Sequence, residues 1–201
     1  MSSKEQILSA IRRQPVPAAE LPGMQQPWIT YPDRFAQFQS AVESVGGRCL
    51  EVAGHQQASE ILQATPAYSQ AKQIVSLVDG IGRGNVDLGT INDQHKLETI
   101  DFAIARGQFG VAENGAIWVT DAGIQHRAVL FICQHLALVV PRGQILNNMH
   151  EAYQRLSFPQ AGFGVFISGP SKTADIEQSL VIGAHGPRSL TVLCLTSDDH
   201  G

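Results

Sequence analysis

The stretch SGPSKTADIEQSLVIGAHGP, residues 168–187, is small, polar and rich in glycine, yet it lies between two apolar runs. VFI precedes it and LTVLCL follows it, and both runs have the apolar composition of buried strands. A Gly-Pro pair favours a turn after the first run, and Ile176 and Leu180 then have the spacing of one helix face. The stretch therefore predicts a helix at residues 173–181 that connects two buried strands.

Strand and helix patterns alternate along the rest of the chain. Strands are predicted at residues 48–52, 73–78, 100–105, 116–120, 135–140, 165–168 and 190–195, and further helices at residues 33–45, 58–63 and 144–156. This alternation predicts an α/β fold in which a largely parallel sheet is covered by helices on both faces. In such sheets ligands bind at the carboxyl ends of the strands.

Residues 1–32 are expected to form an arm of one helix and a proline-rich linker, outside an α/β domain at residues 33–201. Ser3 and Gln6 have the spacing of a capping box at the start of the helix. The apolar face of this helix is formed by Ile7, Leu8 and Ile11. Five prolines and one glycine follow the helix within the arm, a composition typical of an extended linker.

The composition excludes several classes of protein. The chain has 201 residues and a net charge of −4, and its 14 Lys and Arg residues are scattered, so no nucleic-acid partner is expected. No apolar run approaches the ~20 residues of a membrane span, and the N-terminus has no apolar signal-peptide core. A cytoplasmic protein without membrane contact is therefore expected.

The cysteine and histidine patterns predict no metal site. Cys49, Cys133 and Cys194 are far apart and form no C-x-x-C pair, and none of the seven histidines forms an H-x-x-x-H pair. Cys194 lies inside the apolar run LTVLCL, so we interpret it as a small core residue and not as a nucleophile.

The polar residues at 168–187 and the arginine that follows them predict an anion-binding site at the carboxyl edge of the parallel sheet. Lys172 and the free N–H groups of a helix N-terminus come side by side after the first turn, an arrangement that binds phosphates and carboxylates. A second glycine turn, GAHGPR, follows the helix, so both turns are expected to contact one ligand. The candidate ligand-binding residues are Gly169, Pro170, Ser171, Lys172, Thr173, Asp175, His185, Gly186 and Arg188. The alternative is a well-capped helix with Lys172 in solvent, His185 in a structural turn and Arg188 in a surface ion pair.

A second candidate site lies in FGVAENGAIWVT, residues 109–120, where Glu113, Asn114 and Gly115 form a turn before a strand. A partly desolvated carboxylate at the end of a strand can act as a nucleophile or a base. Glu113 is therefore the candidate catalytic residue, and Asn114 and Gly115 are candidate ligand contacts. The alternative is an ordinary Asn-Gly turn beside an exposed acid.

The sequence GPSKTADIEQSLVIGAHGPRSLTVLCL, residues 169–195, resembles the C-terminal signature of the LUD domain family of lactate utilization proteins. In that family a G-P-S-x-T-A-D-I-E stretch is followed by G-x-H-G-P. The upstream order of an acidic turn, a strand, a linker and LALVVPR is also similar, so the resemblance covers nearly the whole chain. It implies the fold of the sugar-isomerase and CoA-transferase superfamily. It also implies a role in the oxidation of L-lactate to pyruvate, beside one cysteine-rich partner and one partner with iron–sulfur clusters.

One motif departs from the family pattern. Many members have A-[DE]-T-G-T where this chain has AENGA at residues 112–116, so the acid is kept and both threonine hydroxyls are lost. The E-N-G turn is instead similar to the turn of class I CoA-transferases, in which the glutamate attacks an acyl-CoA and forms a glutamyl thioester. This parallel implies that Glu113 faces the turn at residues 169–175.

The sequence is compatible with three functions. The first is a subunit of a lactate oxidation system that binds an anionic metabolite or an unidentified cofactor and works with iron–sulfur partner proteins. The second is a CoA-transferase-like or ligase-like enzyme with Glu113 as the covalent residue, and the third is a non-catalytic scaffold. A CoA-transferase normally needs the surface of a second domain, so the chain length favours the first function or a homodimer that shares a site.

Overall fold

The computed structural model describes residues 2–13, 20, 23, 27–156, 162–172, 181–183 and 186–197. Most of the helix predicted at residues 173–181 lies outside the described residues. Three candidate ligand-binding residues, Thr173, Asp175 and His185, also lie outside them.

The described residues form short helices and strands in alternation. The helices are α1 (Ser3–Arg12), α2 (Arg34–Ser44), α3 (His55–Ala64), α4 (Pro66–Ser69), α5 (Val129–Ile132) and α6 (Met149–Arg155). The strands are β1 (Arg48–Val52), β2 (Ile74–Ser76), β3 (Phe102–Arg106), β4 (Phe109–Val111), β5 (Ala116–Thr120), β6 (His135–Pro141), β7 (Ile145–Leu146), β8 (Gly164–Ile167) and β9 (Ser189–Leu195). Each predicted strand is present, with its ends shifted by at most two residues.

Five strands form one parallel sheet in the order β1-β9-β6-β3-β2. β6 and β9 pair over their whole length, from His135 opposite Ser189 to Pro141 opposite Leu195. The five residues in the middle of β6 are all buried, as expected for a strand that is covered on both faces. The predicted α/β fold with a largely parallel sheet is confirmed for these strands.

Both faces of the parallel sheet are covered, but by different layers. On one face α3 and α4 pack with Ala58, Leu62 and Tyr68 in the interface. On the other face α2 packs with Phe38 and Val42, and α5 and a second sheet complete the cover. Apolar side chains alternate between the two faces along each strand, so the chain buries two large hydrophobic clusters.

The second sheet, in the order β7-β4-β5-β8, departs from the single sheet that the sequence predicts. β5 pairs antiparallel with both β4 and β8, and β4 pairs parallel with β7. The strands predicted at residues 116–120 and 165–168 therefore belong to this sheet. The physical reason is the tight turn at Asn114 and Gly115, because a connection of so few residues can join only antiparallel strands.

The helix predicted at residues 144–156 begins later than expected. Ile145 and Leu146 form β7, and α6 begins at Met149. Asn148 is the N-cap, since its side-chain oxygen accepts a 3.0 Å hydrogen bond from the backbone N–H of Glu151. An asparagine in this role ends the strand and starts the helix, although the apolar spacing alone would continue the helix further back.

α1 has its capping box one residue earlier than predicted. Ser2 is the N-cap and pairs with Glu5, so the prediction of Ser3 and Gln6 is wrong. The apolar face of α1 is exposed, at Ile7, Leu8 and Ile11. Within the part of the chain that the structure describes, no helix is long and apolar enough to cross a membrane.

The end of the predicted linker lies against the α/β domain. The ring of Trp28 stacks on the ring of His150 in α6, with their centroids 3.4 Å apart. The side-chain N–H of Asn148 donates a 2.8 Å hydrogen bond to the backbone carbonyl of Ile29. These contacts join the segment before α2 to the start of α6.

Candidate functional site

The two turns that the sequence singles out lie next to each other. The hydroxyl of Ser168 donates a 2.9 Å hydrogen bond to the backbone carbonyl of Asn114. Both turns also pack on the end of α2, and both contain a glycine with positive φ. A Cβ on Gly115 would lie 2.8 Å from the backbone nitrogen of Val42, and one on Gly169 would lie 2.7 Å from a backbone oxygen in the same region. Glycine is therefore required at both positions by conformation and by space.

The side chain of Glu113 contacts α6. Its carboxylate accepts a 2.9 Å hydrogen bond from the backbone N–H of Met149, and its own N–H donates to the carbonyl of Asn147 at 3.0 Å. Glu113 is exposed, and the positive end of the helix dipole stabilises its negative charge. The sequence does not reveal this contact, because 36 residues separate the two partners.

The first glycine turn also joins the segment before β9. The backbone N–H of Ser171 donates a 2.8 Å hydrogen bond to the carbonyl of Pro187, and the N–H of Gly183 donates to the carbonyl of Ser171 at 2.9 Å. Lys172 forms an isolated antiparallel bridge with Ile182. The two turns that flank residues 173–180 are thus held together by backbone hydrogen bonds.

Between these turns lies a cavity of about 240 Å³, which we call the glycine-turn cavity. One wall is formed by the glycine turns, and its polar side chains are Ser168 and Ser171; its other members are Gly169, Pro170, Gly186 and Pro187. Its apolar wall is formed by Leu130, Phe131, Leu136, Phe166, Ile167 and Leu190. A Cβ on Gly186 would lie only 2.9 Å from the Cβ of Ser171, so the close approach of the turns depends on that glycine.

The glycine-turn cavity lies at the amino edge of the parallel sheet, which corrects the prediction of a site at the carboxyl edge. Gly186 and Pro187 come directly before β9, and Gly169 packs on Val45, shortly before β1. β1 and β9 are parallel, so their first residues mark one edge of the sheet. The prediction is wrong because β8, the strand before the first turn, belongs to the second sheet.

The two cationic candidates of the sequence lie apart. Lys172 is exposed, and its aliphatic chain packs near Gly46 beside the first glycine turn. Arg188 is also exposed, but it packs over Gly183 and lines a different cavity, at the starts of β3, β6 and β9. Lys172 follows Ser171, which lines the glycine-turn cavity, but neither Lys172 nor Arg188 is itself a lining residue of that cavity.

Sequence reasoning missed the polar pair His135 and Ser189 beside that second cavity. These residues begin β6 and β9, and His135 Nδ1 lies 2.8 Å from Ser189 Oγ. Burial lowers the pKa of His135, and the charge of Arg188 lowers it further, while Asp101 acts in the opposite direction. In the sequence, each of the two is simply a polar residue at the start of an apolar run. The pairing of β6 with β9 brings them together.

The cysteines lie in the core. Cys49, Cys133 and Cys194 are all fully buried, as predicted for Cys194, and burial raises the pKa of the Cys133 thiol to about 12. Such thiols are poor nucleophiles at neutral pH. Among the described residues, no three His, Cys, Asp or Glu side chains are grouped as metal ligands.

A family model described as the LUD domain matches residues 90–195, just over half of the chain. The chain belongs to the LUD domain family. The matched segment runs from the loop before β3 through both sheets to the end of β9, so it includes Glu113, the first glycine turn and the segment before β9.

Curated relatives match about half of the chain at moderate identity. An uncharacterized protein of Neisseria meningitidis is 32% identical over 102 residues, which cover 49% of this chain and 44% of the relative. A lactate utilization protein C of Geobacillus kaustophilus is 28% identical over 123 residues, which cover 58% of this chain and 48% of the relative. A lactate utilization protein C of Halalkalibacterium halodurans is 30% identical over 98 residues, 46% of this chain and 43% of the relative. The chain therefore spans somewhat less than half the length of these relatives.

A solved structure shares the fold. The crystal structure of a DUF162 family protein from Deinococcus radiodurans superposes with a TM-score of 0.59 at 19% identity, over 81% of this chain and 96% of that chain. At this identity the similarity supports the fold alone.

Proposed function

We propose that this chain is a component of an L-lactate utilization system, in which it binds an anionic metabolite or cofactor and works with iron–sulfur partner proteins. Curated relatives named lactate utilization protein C support the pathway. The LUD signature at residues 169–195 supports the same assignment.

The hydrogen bond between Ser171 and Pro187 is the observation that carries the proposed ligand site. It holds the two glycine turns against each other and so encloses the glycine-turn cavity. The hydroxyls of Ser168 and Ser171 line the wall that the glycine turns form. The hydroxyl of Ser168 donates to Asn114 and can only accept from a ligand, whereas that of Ser171 can donate, and the cation of Lys172 comes next in the chain. The volume of about 240 Å³ is small for a ligand pocket and suits a compact metabolite such as lactate or pyruvate.

A thermal-shift screen tests the ligand site. Wild type, Lys172→Ala and the exposed control Lys96→Ala are melted with lactate, pyruvate, CoA, acetyl-CoA, NAD and inorganic phosphate. A ligand at one hundred times its dissociation constant stabilises the protein by about 2.7 kcal/mol, which a melting curve resolves. We expect one compound to raise the melting temperature of wild type and of Lys96→Ala, and to raise that of Lys172→Ala less. A screen in which no compound acts contradicts the ligand site and favours the scaffold function.

Growth on L-lactate tests the pathway. A strain that lacks this gene is expected to grow poorly with L-lactate as the only carbon source, and to recover when the gene is supplied. Affinity purification of the tagged chain from lactate-grown cells is expected to recover iron–sulfur proteins. Normal growth of the deletion strain on L-lactate would refute the pathway assignment, whatever the screen shows.

A further inference from the structure

We propose that the cavity at the starts of β3, β6 and β9 is a second binding site, for a small carboxylic acid with a hydroxyl or ammonium group on the adjacent carbon. We call it the amino-edge cavity; its volume is about 400 Å³. Its polar lining includes Glu98, Thr99, Asp101, Gln134, His135 and Arg188. This site does not depend on the proposed function, because it shares no lining residue with the glycine-turn cavity.

The parallel pairing of three neighbouring strands fixes the polar groups of the amino-edge cavity. His135 lies opposite Ser189 in the sheet. The backbone N–H of Arg188 donates a 2.8 Å hydrogen bond to the carbonyl of Gln134, and the N–H of His135 donates to the carbonyl of Asp101 at 2.9 Å. The residues that precede β3, β6 and β9 are therefore joined in one row. A site built on the ends of rigid strands keeps its geometry when a ligand binds.

Arg188 supplies the group that binds a carboxylate. Its aliphatic chain is held over Gly183, where even a methyl group would lie 2.3 Å from Arg188 Cγ. Its guanidinium group has no ion pair with another described residue. A guanidinium group that has no ion pair can bind a carboxylate with two parallel hydrogen bonds.

Asp101 and Glu98 require the ligand to carry a donor as well. One carboxylate oxygen of Asp101 accepts hydrogen bonds from the backbone N–H groups of Lys72 and Gln73, at 2.7 and 2.9 Å. These bonds fix the side chain and leave its second oxygen able to accept from a hydroxyl or an ammonium group. A simple anion would meet the repulsion of two carboxylates, whereas a hydroxy acid or an amino acid offers them a donor.

His135 adds a neutral hydrogen-bonding group between the two charges. Its Nδ1 is hydrogen-bonded to the hydroxyl of Ser189. This bond fixes the orientation of the ring and leaves Nε2 to bind a ligand. Burial and Arg188 lower the pKa of His135, so its ring is mostly neutral at pH 7. The cavity thus combines one guanidinium cation, one neutral ring and two carboxylates, which matches a ligand with one anionic and one donor end.

Titration of the full chain with four ligands tests this proposal, with the histidine ring signals followed by NMR and His135 assigned with the variant His135→Gln. The ligands are L-lactate, L-alanine, propionate and inorganic phosphate. L-lactate or L-alanine is expected to shift the His135 signal, and the comparison of the two decides between a hydroxyl and an ammonium donor. Propionate lacks the donor and is expected to bind at least about tenfold more weakly than the better of the two.

Variants locate the binding. Arg188→Gln is expected to weaken the binding at least about tenfold, because a charge-assisted pair of hydrogen bonds is lost. Arg106→Gln, an exposed arginine at the opposite edge of the sheet, is expected to leave it unchanged. If Arg188→Gln does not fold, Asp101→Asn serves instead, since it keeps an oxygen for Lys72 and Gln73. Asp101→Asn is expected to reduce the preference for L-lactate or L-alanine over propionate.

Three results would overturn the proposal. The first is that neither L-lactate nor L-alanine moves the His135 signal. The second is that propionate or phosphate binds as tightly as the better of these two ligands. The third is binding that survives in Arg188→Gln and is lost in Lys172→Ala, which would assign the ligand to the glycine-turn cavity and leave the proposed function intact.

Discussion

Glu113 binds the first residue of α6, since its carboxylate accepts a 2.9 Å hydrogen bond from the backbone N–H of Met149. One acidic side chain thus joins the turn between β4 and β5 to the N-terminus of a helix. A carboxylate in this position satisfies a free N–H group and interacts favourably with the helix dipole. A structural role for this acid therefore needs to be separated from the catalytic role that its sequence context predicts.

Replacement of Glu113 is expected to lower stability. Glu113→Ala removes the acceptor for Met149 and should reduce the free energy of unfolding by about 1 kcal/mol, whereas Glu113→Gln keeps an oxygen and should cost less. Urea denaturation measures both values. Glu43→Ala changes another exposed acid, on α2, and is the control. If Glu113→Ala and Glu43→Ala lose equal stability, the hydrogen bond contributes nothing.

The same residue allows a direct test of the covalent role. In that role, acetyl-CoA would transfer its CoA to the carboxyl group of Glu113 as a glutamyl thioester and release acetate. Mass spectrometry of the intact protein and of its peptides would detect the bound CoA. The stability role alone predicts an unmodified protein for wild type and for Glu113→Gln. A modification that is present in wild type and absent in Glu113→Gln would establish the transferase function.

Gly115 is expected to be the less replaceable of two glycines with similar backbone angles. Gly115 has φ +67° and Gly123 has φ +75°, but only Gly115 is packed, against the backbone of α2. Gly123→Ala should cost about 1 kcal/mol, from the left-handed conformation alone. Gly115→Ala should cost about 3 kcal/mol, because the added methyl group also forces the turn away from Val42. Thermal and urea unfolding of the two variants measure the difference in stability. Equal losses would show that α2 moves to accommodate the added methyl group.

The order of the elements is predictable from the sequence, but the pairing of the strands is not. The middle of β6 is an unbroken apolar run, which marks a buried strand without further information. In contrast, β9 lies between β1 and β6, and this position depends on residues far apart in the chain. The second sheet was not predicted for the same reason, since the residues that pair between β5 and β8 are more than forty positions apart in the chain.

The site was predictable in part. Gly115 and Gly169 stand out in the sequence as turn residues, and the structure brings their turns together through Ser168 and Asn114. Their place at the amino edge could not be read from local patterns, because it depends on the sheet to which β8 belongs. His135 could not be recognised from the sequence as a site residue, because its hydrogen-bond partner Ser189 lies 54 residues away.

Asn148 is expected to have two separable roles. Its side-chain oxygen caps α6 by accepting from Glu151, and its side-chain N–H donates to the carbonyl of Ile29. Asn148→Ala removes both bonds from a residue that is only 2% exposed, and should cost about 2 kcal/mol. Asn148→Asp keeps the cap and should cost less, while it releases the segment that carries Trp28. Urea denaturation measures the first effect, and hydrogen exchange of residues 27–31 measures the second. Unchanged exchange in Asn148→Asp would show that the remaining contacts, the Trp28 stack and the hydrogen bond from the N–H of Tyr31 to Asn147, are enough to hold the segment.

His135 is expected to make stability depend on pH below about 6.5. Burial, and then the charge of Arg188, lower its pKa in the folded chain from the ordinary value of 6.5. As the pH falls through 6.5, the histidine of the unfolded chain takes up a proton before that of the folded chain does. Protonation therefore favours unfolding, and stability falls with the pH until the lower pKa of the folded state is passed. Urea denaturation between pH 8 and pH 5 should show a smaller loss for His135→Gln than for wild type. His95→Gln, which removes an exposed histidine, is the control and should behave as wild type does. Parallel curves for wild type and His135→Gln would mean that the environment of His135 does not favour its neutral form.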